Sequence, residues 1–373
     1  FLMFGLLKAG AVLVPINTRF RTADLEYVLR QSESSMLITH NTCGPIGYLD
    51  MVREVVALPE TGDAVSDPSF PALRKVVILD EAEHAGTLAW HAAKSAAESV
   101  SAEALAERAA EVRADDIALI KYTSGTTGFP KGAMHNHGLI RNVEERAFRM
   151  AIRPADTIMS YLPLFHAFGF SECALMSMVT GARQIVIETF DPAEVLDLVE
   201  RERGSIVHGF EAHAKALAEE QERKPRDVSS LRTGIFGAGP HSATPILYRA
   251  AKQLAPMRPV SGFGMTEVWI GVALSSLDDS EDARFEASGY PAIGYESRIM
   301  NLETGLPCEV GEEGELQVRG RYLMQGYYKK PEETAATYTA DGWFKTGDVG
   351  HIDQDGYMTI TDRSKDVIKS GGE

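Results

Sequence analysis

Short runs of β-branched and apolar residues alternate with amphipathic stretches along most of this chain. Nearly continuous apolar runs are what strands buried on both faces require, and their alternation with helices is typical of parallel sheets covered by helices. The pattern predicts strands at residues 11–17, 35–40, 75–80, 117–123, 157–163, 183–189, 205–210, 232–237 and 258–264. So many strands favour an α/β fold with two packed, mostly parallel sheets.

The pattern changes after about residue 285. Strand-like runs are now joined by glycine turns, and "DQDGY" at 353–357 indicates a β-hairpin. A chain of 373 residues also exceeds the size at which one hydrophobic core keeps growing. We therefore predict two α/β subdomains in residues 1–284 and a small β subdomain in residues 285–361.

Charge and cysteine usage limit the kinds of partner and the cellular setting. The net charge of −16 argues against a nucleic-acid surface or a polybasic membrane patch, and no apolar run is long enough to span a membrane. Cys43, Cys173 and Cys308 lie far apart and show neither zinc-site nor redox spacing. This usage favours a reducing, cytoplasmic setting.

One segment, "YTSGTTGFPKGAMHNH" at 122–137, concentrates glycine and hydroxyl residues around a lysine directly after a predicted strand. Glycines let backbone N–H groups converge on an anion, hydroxyls add donors, and Lys131 supplies a full positive charge. The segment predicts a phosphate-binding loop; a plain glycine-rich connection with a solvated lysine is the alternative. The loop residues are Thr123, Ser124, Gly125, Thr126, Thr127 and Gly128.

This loop departs from the Walker pattern, which places glycine before the lysine and Ser or Thr after it. Pro130 and Gly132 occupy those two places. The hydroxyl that binds the metal in a Walker loop is therefore missing, and a phosphotransferase is the least favoured reading.

"YTSGTTGFPKG" resembles the phosphate loop of the adenylate-forming enzymes, which include acyl-CoA synthetases. Six further motifs of that family follow in the same order and carry the resemblance from about residue 1 to the C-terminal residue. They are "PLFH" (163–166), "FGAGP" (236–240), "GFGMTE" (262–267), "GELQVRG" (314–320), "GWFKTGD" (342–348) and "DRSKDVIKSGGE" (362–373). The last motif is most similar to medium- and long-chain fatty-acyl-CoA ligases.

The resemblance implies a reaction in two steps. A carboxylate attacks the α-phosphorus of ATP, pyrophosphate leaves, and a thiol then displaces AMP from the acyl-adenylate. The implied activity is an ATP-dependent carboxylic (fatty) acid–CoA ligase that uses ATP, Mg²⁺ and coenzyme A. Transfer to the phosphopantetheine of a carrier protein and a non-catalytic nucleotide-binding protein are the alternatives.

By the same resemblance, four residues have catalytic roles. Glu267 is the Mg²⁺ ligand, Thr266 binds the α-phosphate, and Lys131 contacts the phosphates. His166 lies near the acyl pocket as a steric gate, a carboxylate binder or a base. The alternatives are an exposed loop acid for Glu267 and an ordinary core or surface histidine for His166.

The resemblance also assigns residues that bind the nucleotide and coenzyme A. Phe263 offers an aromatic face to adenine, Asp348 and Arg363 bind the ribose hydroxyls, and the terminal glycines approach the coenzyme A tunnel. The remaining members of this set are Gly237, Ala238, Gly239, Pro240, Gly264, Met265, Gly371 and Gly372.

The implied fold is the large N-terminal domain of these enzymes, with the β subdomain forming a small distorted barrel. Residues 362–373 are then a hinge, centred on Lys365, and the stub of a missing small C-terminal domain. That domain carries a lysine that stabilises the adenylation transition state, so we expect this chain to be incomplete as an enzyme. The implied partners are small molecules; a homodimer is compatible with the sequence.

One stretch departs from the family pattern. After the strand at 205–210, where relatives often have a Val-Pro pair, this chain reads "HGFEAHAK". Glu211 and His213 add polarity near the predicted acyl pocket if they point inward, and they are irrelevant to the acid if they point outward.

Overall fold

The computed structural model describes residues 2–123, 129–237 and 244–363. Residues 124–128, 238–243 and 364–373 lie outside this description, and so do the predictions made for Lys365 and the terminal stub. The predicted site residues outside the described residues are Ser124, Gly125, Thr126, Thr127, Gly128, Ala238, Gly239, Pro240, Gly371 and Gly372.

The chain forms two compact units, Phe1–Tyr122 and Thr123–Glu373. The predicted subdomain bounds at residues 284 and 361 stay predictions. Within the described ranges, no helix combines the length and the apolar character needed to cross a bilayer.

The first unit contains a three-stranded parallel sheet in the order β1-β4-β5. Leu25, Leu49, Val76 and Ile78 belong to the apolar core beside it. The strands are β1 Met36–Thr39, β2 Thr42–Cys43, β3 Ile46–Gly47, β4 Lys75–Ile78, β5 Leu88–Ala89 and β6 Ile117–Thr123, which ends one residue beyond the unit. The helices are α1 Leu2–Lys8, α2 Thr22–Ser32, α3 Tyr48–Val55, α4 Trp90–Ala97 and α5 Ala102–Glu111.

The strand predicted at 11–17 is wrong. Only Leu13 pairs, as an isolated bridge to Leu119, through hydrogen bonds with Ala118 and Ile120 of 2.9 Å each. Pro15 lacks the N–H that the next pairing position needs, so the ladder stops after one residue. The other eight predicted runs each contain a strand.

The second unit contains a six-stranded parallel sheet in the order β11-β12-β10-β8-β9, with β13 also paired to β12. The six strands of this sheet are β8 Thr157–Ser160, β9 Arg183–Val186, β10 Ile206–Val207, β11 Gly209–Phe210, β12 Thr233–Gly237 and β13 Arg258–Val260. Strand β7 Lys131–Asn136 precedes them in the chain and is not part of this sheet. The first helices of the unit are α6 Leu139–Arg149, α7 Ala167–Gly169, α8 Met176–Thr180, α9 Pro192–Glu202, α10 Glu211–Arg223 and α11 Thr244–Gln253. A π-helix, Phe170–Leu175, lies between α7 and α8.

Helix α9 shows how the local sequence fixes an element. Asp191 caps its N-terminus by accepting a 2.9 Å hydrogen bond from the Glu194 N–H, and Pro192 occupies the first position. Arg203 ends the helix in the left-handed conformation. The helix therefore begins where the sequence supplies both a cap and a proline.

The second unit continues with two antiparallel sheets, in the orders β14-β15-β16 and β17-β18-β19-β20. The strands are β14 Gly262–Phe263, β15 Ala273–Leu274, β16 Tyr290–Pro291, β17 Tyr295–Met300, β18 Gly314–Gly320, β19 Phe344–Ile352 and β20 Met358–Arg363, with helices α12 Glu281–Glu286 and α13 Pro331–Ala336.

The predicted small barrel is an open four-stranded sheet in this structure. Within residues 244–363, β17 and β20 are the two edges of that sheet and do not pair with each other. A barrel requires its first and last strands to be hydrogen bonded, so closure is absent from this part of the chain.

One apolar cluster joins the elements that carry the predicted site. Ala133 of β7, Val268, Val318 of β18, Tyr327 and Phe344 of β19 are all buried in it. The cluster thereby fixes the strand that begins at Lys131 and the segment around Glu267 on the same apolar core.

Candidate active site

The segment that carries Thr266 and Glu267 is a single 3₁₀ turn, Thr266–Val268, which follows β14. Its backbone carbonyls are held from two sides. Nε2 of His135 lies 2.8 Å from the Thr266 carbonyl oxygen, and the Met324 N–H donates to the Glu267 carbonyl at 2.7 Å. Because a carbonyl oxygen only accepts, Nε2 of His135 carries the proton.

Gly264 is required for this turn to form. A Cβ atom at this position would lie 1.5 Å from the backbone carbonyl oxygen of Ile270. Trp269 and Ile270 have positive φ angles of 51° and 22°, which side-chain-bearing residues rarely adopt. The loop that presents Glu267 is therefore tightly closed on itself.

The side chain of Tyr327 contacts both predicted ionic residues of the site. Its hydroxyl donates a 2.9 Å hydrogen bond to Oε1 of Glu267. Nζ of Lys131 lies over its ring, 5.1 Å from the centroid, which is a cation–π distance. Burial and the nearby Glu267 carboxylate raise the pKa of Tyr327 above its ordinary value, so the phenol stays protonated and keeps donating.

Tyr327 reaches this position because residues 325–328 run beside β7. The Tyr328 N–H donates to the Gly132 carbonyl and the Gln325 N–H to the Met134 carbonyl, each at 2.8 Å. Ala133 and Tyr327 form an antiparallel bridge. The strand that begins at Lys131 therefore positions the tyrosine that binds Glu267.

Thr123 is the last residue of β6, eight positions before Lys131. Its hydroxyl donates to the Lys131 carbonyl oxygen at 3.4 Å. Thr123, Lys131, Thr266 and Glu267 therefore belong to one set of directly or indirectly contacting residues.

The backbones of Asp348 and Arg363 lie next to each other in the last two strands. Their Cα atoms are register partners in the β19–β20 pair, so residues 15 positions apart in sequence are brought side by side. Asp348 is buried, and its backbone N–H donates to the Thr346 hydroxyl at 3.1 Å.

His166 caps the short helix α7. Its Nδ1 accepts a 3.2 Å hydrogen bond from the Phe168 N–H, and its ring meets the ring of Phe210 edge-on at 6.2 Å. Because Nδ1 is engaged with the backbone, any proton transfer to or from this imidazole has to use Nε2.

Gly237 and Phe210 are register partners in the parallel pair β11–β12. A Cβ atom on Gly237 would lie 3.3 Å from Cδ1 of Phe210, so this glycine adjoins the ring that contacts His166. Phe263 and Met265, by contrast, are half-buried and pack against the apolar cluster around Tyr327.

His213 points inward and Glu211 points outward, which answers the question raised by "HGFEAHAK". Glu211 is exposed, whereas His213 is half-buried, with its ring 4.6 Å from Phe190 and stacked on Tyr161 at 5.6 Å. Burial lowers the pKa of His213, so its imidazole is predominantly neutral near pH 7. This neutral polar ring adds to an aromatic cluster that reaches Phe210.

Sequence reasoning missed two residues of the site, Tyr327 and His135. Both act on the 3₁₀ turn, one through the Glu267 side chain and the other through the Thr266 carbonyl. The segment "GYYKK" at 326–330 gives one sequence signal for Tyr327, a glycine beside aromatic residues. In the structure Gly326 has a φ of 122°, a backbone conformation that favours glycine.

Residues 1–328 match the family of AMP-binding enzymes. The chain is 32% identical to a putative acyl-CoA synthetase, YngI, of Bacillus subtilis, over 99% of this chain and 68% of that protein. It is 34% identical to a feruloyl-CoA synthase of an Amycolatopsis species, over 100% of this chain and 67% of that protein. It thus spans about two thirds of the length of these relatives.

A solved structure shares the fold. It is the inhibitor-bound N-terminal domain of FACL13 from Mycobacterium tuberculosis, which is 27% identical to this chain and gives a TM-score of 0.73. The match covers 97% of this chain and 82% of the other.

Proposed function

The chain belongs to the AMP-binding enzyme family, and we propose that it is the large domain of an ATP-dependent carboxylic acid–CoA ligase. In this reaction the carboxylate of the acid bonds to the α-phosphorus of ATP and pyrophosphate leaves. The thiol of coenzyme A then bonds to the acyl carbon, and AMP leaves. The relatives' names support this reaction class.

The observation that carries the proposal is the set of contacts at Tyr327. A cation, Lys131, and an anion, Glu267, both contact this one side chain in the second unit. A nucleotide triphosphate needs a cation for its oxygens and a carboxylate for its metal, and this arrangement supplies both.

The residues present fit a magnesium ion. Glu267 offers carboxylate oxygens, which Mg²⁺ prefers, and this ion commonly takes one or two carboxylates and completes its shell with phosphate oxygens and water. Glu267 would hold the ion through its carboxylate, and Mg²⁺ would neutralise charge on the triphosphate. His135 and Met324 keep the turn in place by binding its carbonyls.

The remaining roles stay proposals for this chain. Thr266 would contact the α-phosphate, and Asp348 with Arg363 would bind the ribose hydroxyls from adjacent strands. His166 would stand at the entrance to the acid site beside Phe210. The acidic composition and scattered cysteines support a cytoplasmic enzyme, and a homodimer is one assembly it could adopt.

A pyrophosphate-release screen of fatty, aryl and branched acids with the full-length protein tests this function. We expect at least one acid to release pyrophosphate and to form AMP only when coenzyme A is present. Transfer to a carrier protein without any response to coenzyme A would favour the phosphopantetheine alternative. Failure to bind ATP in the presence of Mg²⁺ would contradict both hypotheses, the CoA ligase and the transfer to a carrier protein.

Glu267→Gln tests the metal role within that screen. The variant keeps the shape of the side chain and removes its charge, so use of MgATP should fall much more than the affinity for AMP. Glu303→Gln, on an exposed turn of the same unit, is the control and should change neither. Equal losses of MgATP use and AMP affinity in Glu267→Gln would contradict the metal role.

A further inference from the structure

Two buried side chains in the second unit have complementary polar atoms that lack a partner among the described residues. They are Nε2 of His208 and Oε2 of Glu172. Both side chains are fully buried. Since buried polar atoms in proteins are nearly always hydrogen bonded, a third group is expected to satisfy them.

The protonation of His208 follows from its other nitrogen. Nδ1 accepts a 3.1 Å hydrogen bond from the Ile235 N–H, so it carries the lone pair. Burial lowers the pKa of His208 to about 4, against the smaller opposing effect of the Glu172 carboxylate, so the ring is neutral near pH 7. The single proton therefore sits on Nε2, which is a donor.

Glu172 supplies the matching acceptor. Its Oε1 accepts from Nε of Arg146 at 2.9 Å and from Nη2 at 2.5 Å, and these two bonds fix the carboxylate. Its Oε2 is buried and has no hydrogen-bond partner among the described residues, and a carboxylate oxygen accepts. A group that binds both His208 and Glu172 must accept from an N–H and donate to a carboxylate, which a hydroxyl does and a methylene chain does not.

The location connects this pair of atoms to the proposed acid site. His208 lies between β10 and β11, two short strands that both pair in parallel with β12. Glu172 lies in the π-helix, a rare element that is frequent at functional sites. The ring of Phe168 contacts His208 at 6.3 Å and Phe210 at 5.2 Å, and Phe210 in turn contacts His166.

We propose that Nε2 of His208 and Oε2 of Glu172 form a subsite for a hydroxyl group that the acid carries at the end remote from its carboxylate. This inference rests on the proposed ligase function. It assigns the substrate to hydroxylated acids, whether ω-hydroxyalkanoic or hydroxyaryl. A bound water has the same hydrogen-bonding chemistry, and the experiment separates the two.

The test compares matched acids in the full-length protein, by CoA-dependent formation of AMP. Suitable pairs are ω-hydroxyalkanoates with the corresponding alkanoates over a range of chain lengths, and 4-hydroxyphenylpropanoate with phenylpropanoate. A site built to bind a hydroxyl strongly rejects the analogue that lacks it. We expect kcat/KM for the best hydroxylated acid to exceed that of its partner by about 100-fold or more.

Two variants of His208 show whether the imidazole causes that ratio. His208→Asn can keep an acceptor for the Ile235 N–H but lacks a donor at the position of Nε2, so the ratio should fall to about 1. His208→Gln places an amide nitrogen close to that position and should retain most of the preference.

Three results overturn the inference. Wild-type ratios within about 3-fold for every pair would assign the two atoms to a buried water, since a strong rejection is expected of a substrate subsite. A preference that persists unchanged in His208→Asn would place the hydroxyl elsewhere. Absence of any acid-dependent AMP formation would remove the ligase function itself, and the subsite with it, and is distinguishable because the unhydroxylated acids also fail.

Discussion

The hydroxyl of Tyr327 donates a 2.9 Å hydrogen bond to Oε1 of Glu267. The face of the same ring lies 5.1 Å from Nζ of Lys131. Because the ring is buried and its backbone is paired with β7, it fixes where the carboxylate and the ammonium group stand. Such preorganisation lowers the cost of assembling a charged ligand site.

Tyr327→Phe should weaken the use of MgATP while the protein stays folded. The variant keeps the ring under Lys131 and removes only the donor to Glu267. A hydrogen bond to a charged group contributes about 1.5–3 kcal/mol, so kcat/KM for MgATP should fall roughly 10- to 100-fold. Steady-state kinetics of pyrophosphate release at several Mg²⁺ concentrations measures this, and the fall should be largest at low Mg²⁺.

Tyr338→Phe is the matched control for that experiment. The Tyr338 hydroxyl donates to the Met324 carbonyl at 3.2 Å rather than to Glu267. Its loss should change the Mg²⁺ dependence little. If both tyrosine variants shifted the Mg²⁺ dependence equally, the hydrogen bond from Tyr327 would not be what orients Glu267.

The ion pair between Arg146 and Glu172 should dominate the stability of helix α6. Both side chains are almost fully buried, and the guanidinium also contacts Asn142 and Ser171. Arg146→Met leaves the Glu172 charge buried without its partner, which typically costs about 3–5 kcal/mol. Urea unfolding followed by circular dichroism and tryptophan fluorescence measures this loss.

Helix α6 also provides the comparison. Arg141 pairs with Glu144 at 2.7 Å on its exposed face, where solvent screens the attraction, so Arg141→Met should change the free energy of unfolding little. The double variant Arg146→Met/Glu172→Met should recover part of the loss, because no charge is then left buried. Equal destabilisation by Arg141→Met and Arg146→Met would contradict this account.

His208 should make the protein less stable in mild acid. Its pKa is about 4 when folded, because of burial, against an ordinary value of 6.5. At a pH between these two pKa values, His208 is protonated in the unfolded chain but not in the folded protein. The free energy of unfolding therefore decreases as the pH falls. The contribution of this group should drop by about 2 kcal/mol from pH 7 to pH 5.

The measurement is the free energy of unfolding at pH 7 and pH 5, for wild type and for His208→Asn. The variant cannot be protonated at this position, so its loss on acidification should be smaller by that amount. An identical loss in both proteins would mean that the folded state protonates His208 normally.

The sequence predicted the parallel sheets well because burial on both faces leaves an apolar run that can be read directly. Eight predicted runs contain strands, and the cap at Asp191 was visible as a local pattern. The run at 11–17 misled because its apolar residues fit a strand while Pro15 removes a donor. The strand propensity of these residues did not reveal that β-bridge pairing in this run is limited to Leu13.

The site was predictable where its chemistry lies in short motifs and not where it depends on tertiary contacts. Lys131 and Glu267 are visible as motif residues, whereas Tyr327 acts only because residues 325–328 pair with β7. The buried atoms of His208 and Glu172 carry no sequence signal, since a histidine after a strand and a glutamate in a helix are ordinary. Their environment is created by the fold.

Gly264 provides the last test, because the structure gives it a role different from the one expected of a nucleotide-binding glycine. A Cβ atom there would lie 1.5 Å from the carbonyl oxygen of Ile270, and a backbone atom cannot move aside without opening the loop. Gly264→Ala should therefore lower the free energy of unfolding by at least about 2 kcal/mol, as overpacking does.

Gly237→Ala is the counterpart, because the added Cβ would lie 3.3 Å from Cδ1 and 3.5 Å from Cε1 of the Phe210 ring, and a side chain can yield by a few tenths of an ångström. Its cost should stay below about 1 kcal/mol, and circular dichroism with urea titration compares the two variants. If Gly264→Ala were as stable as Gly237→Ala, the loop would accommodate a Cβ atom at position 264 despite the nearby Ile270 carbonyl. The glycine would then be needed for the nucleotide and not for the turn that carries Glu267.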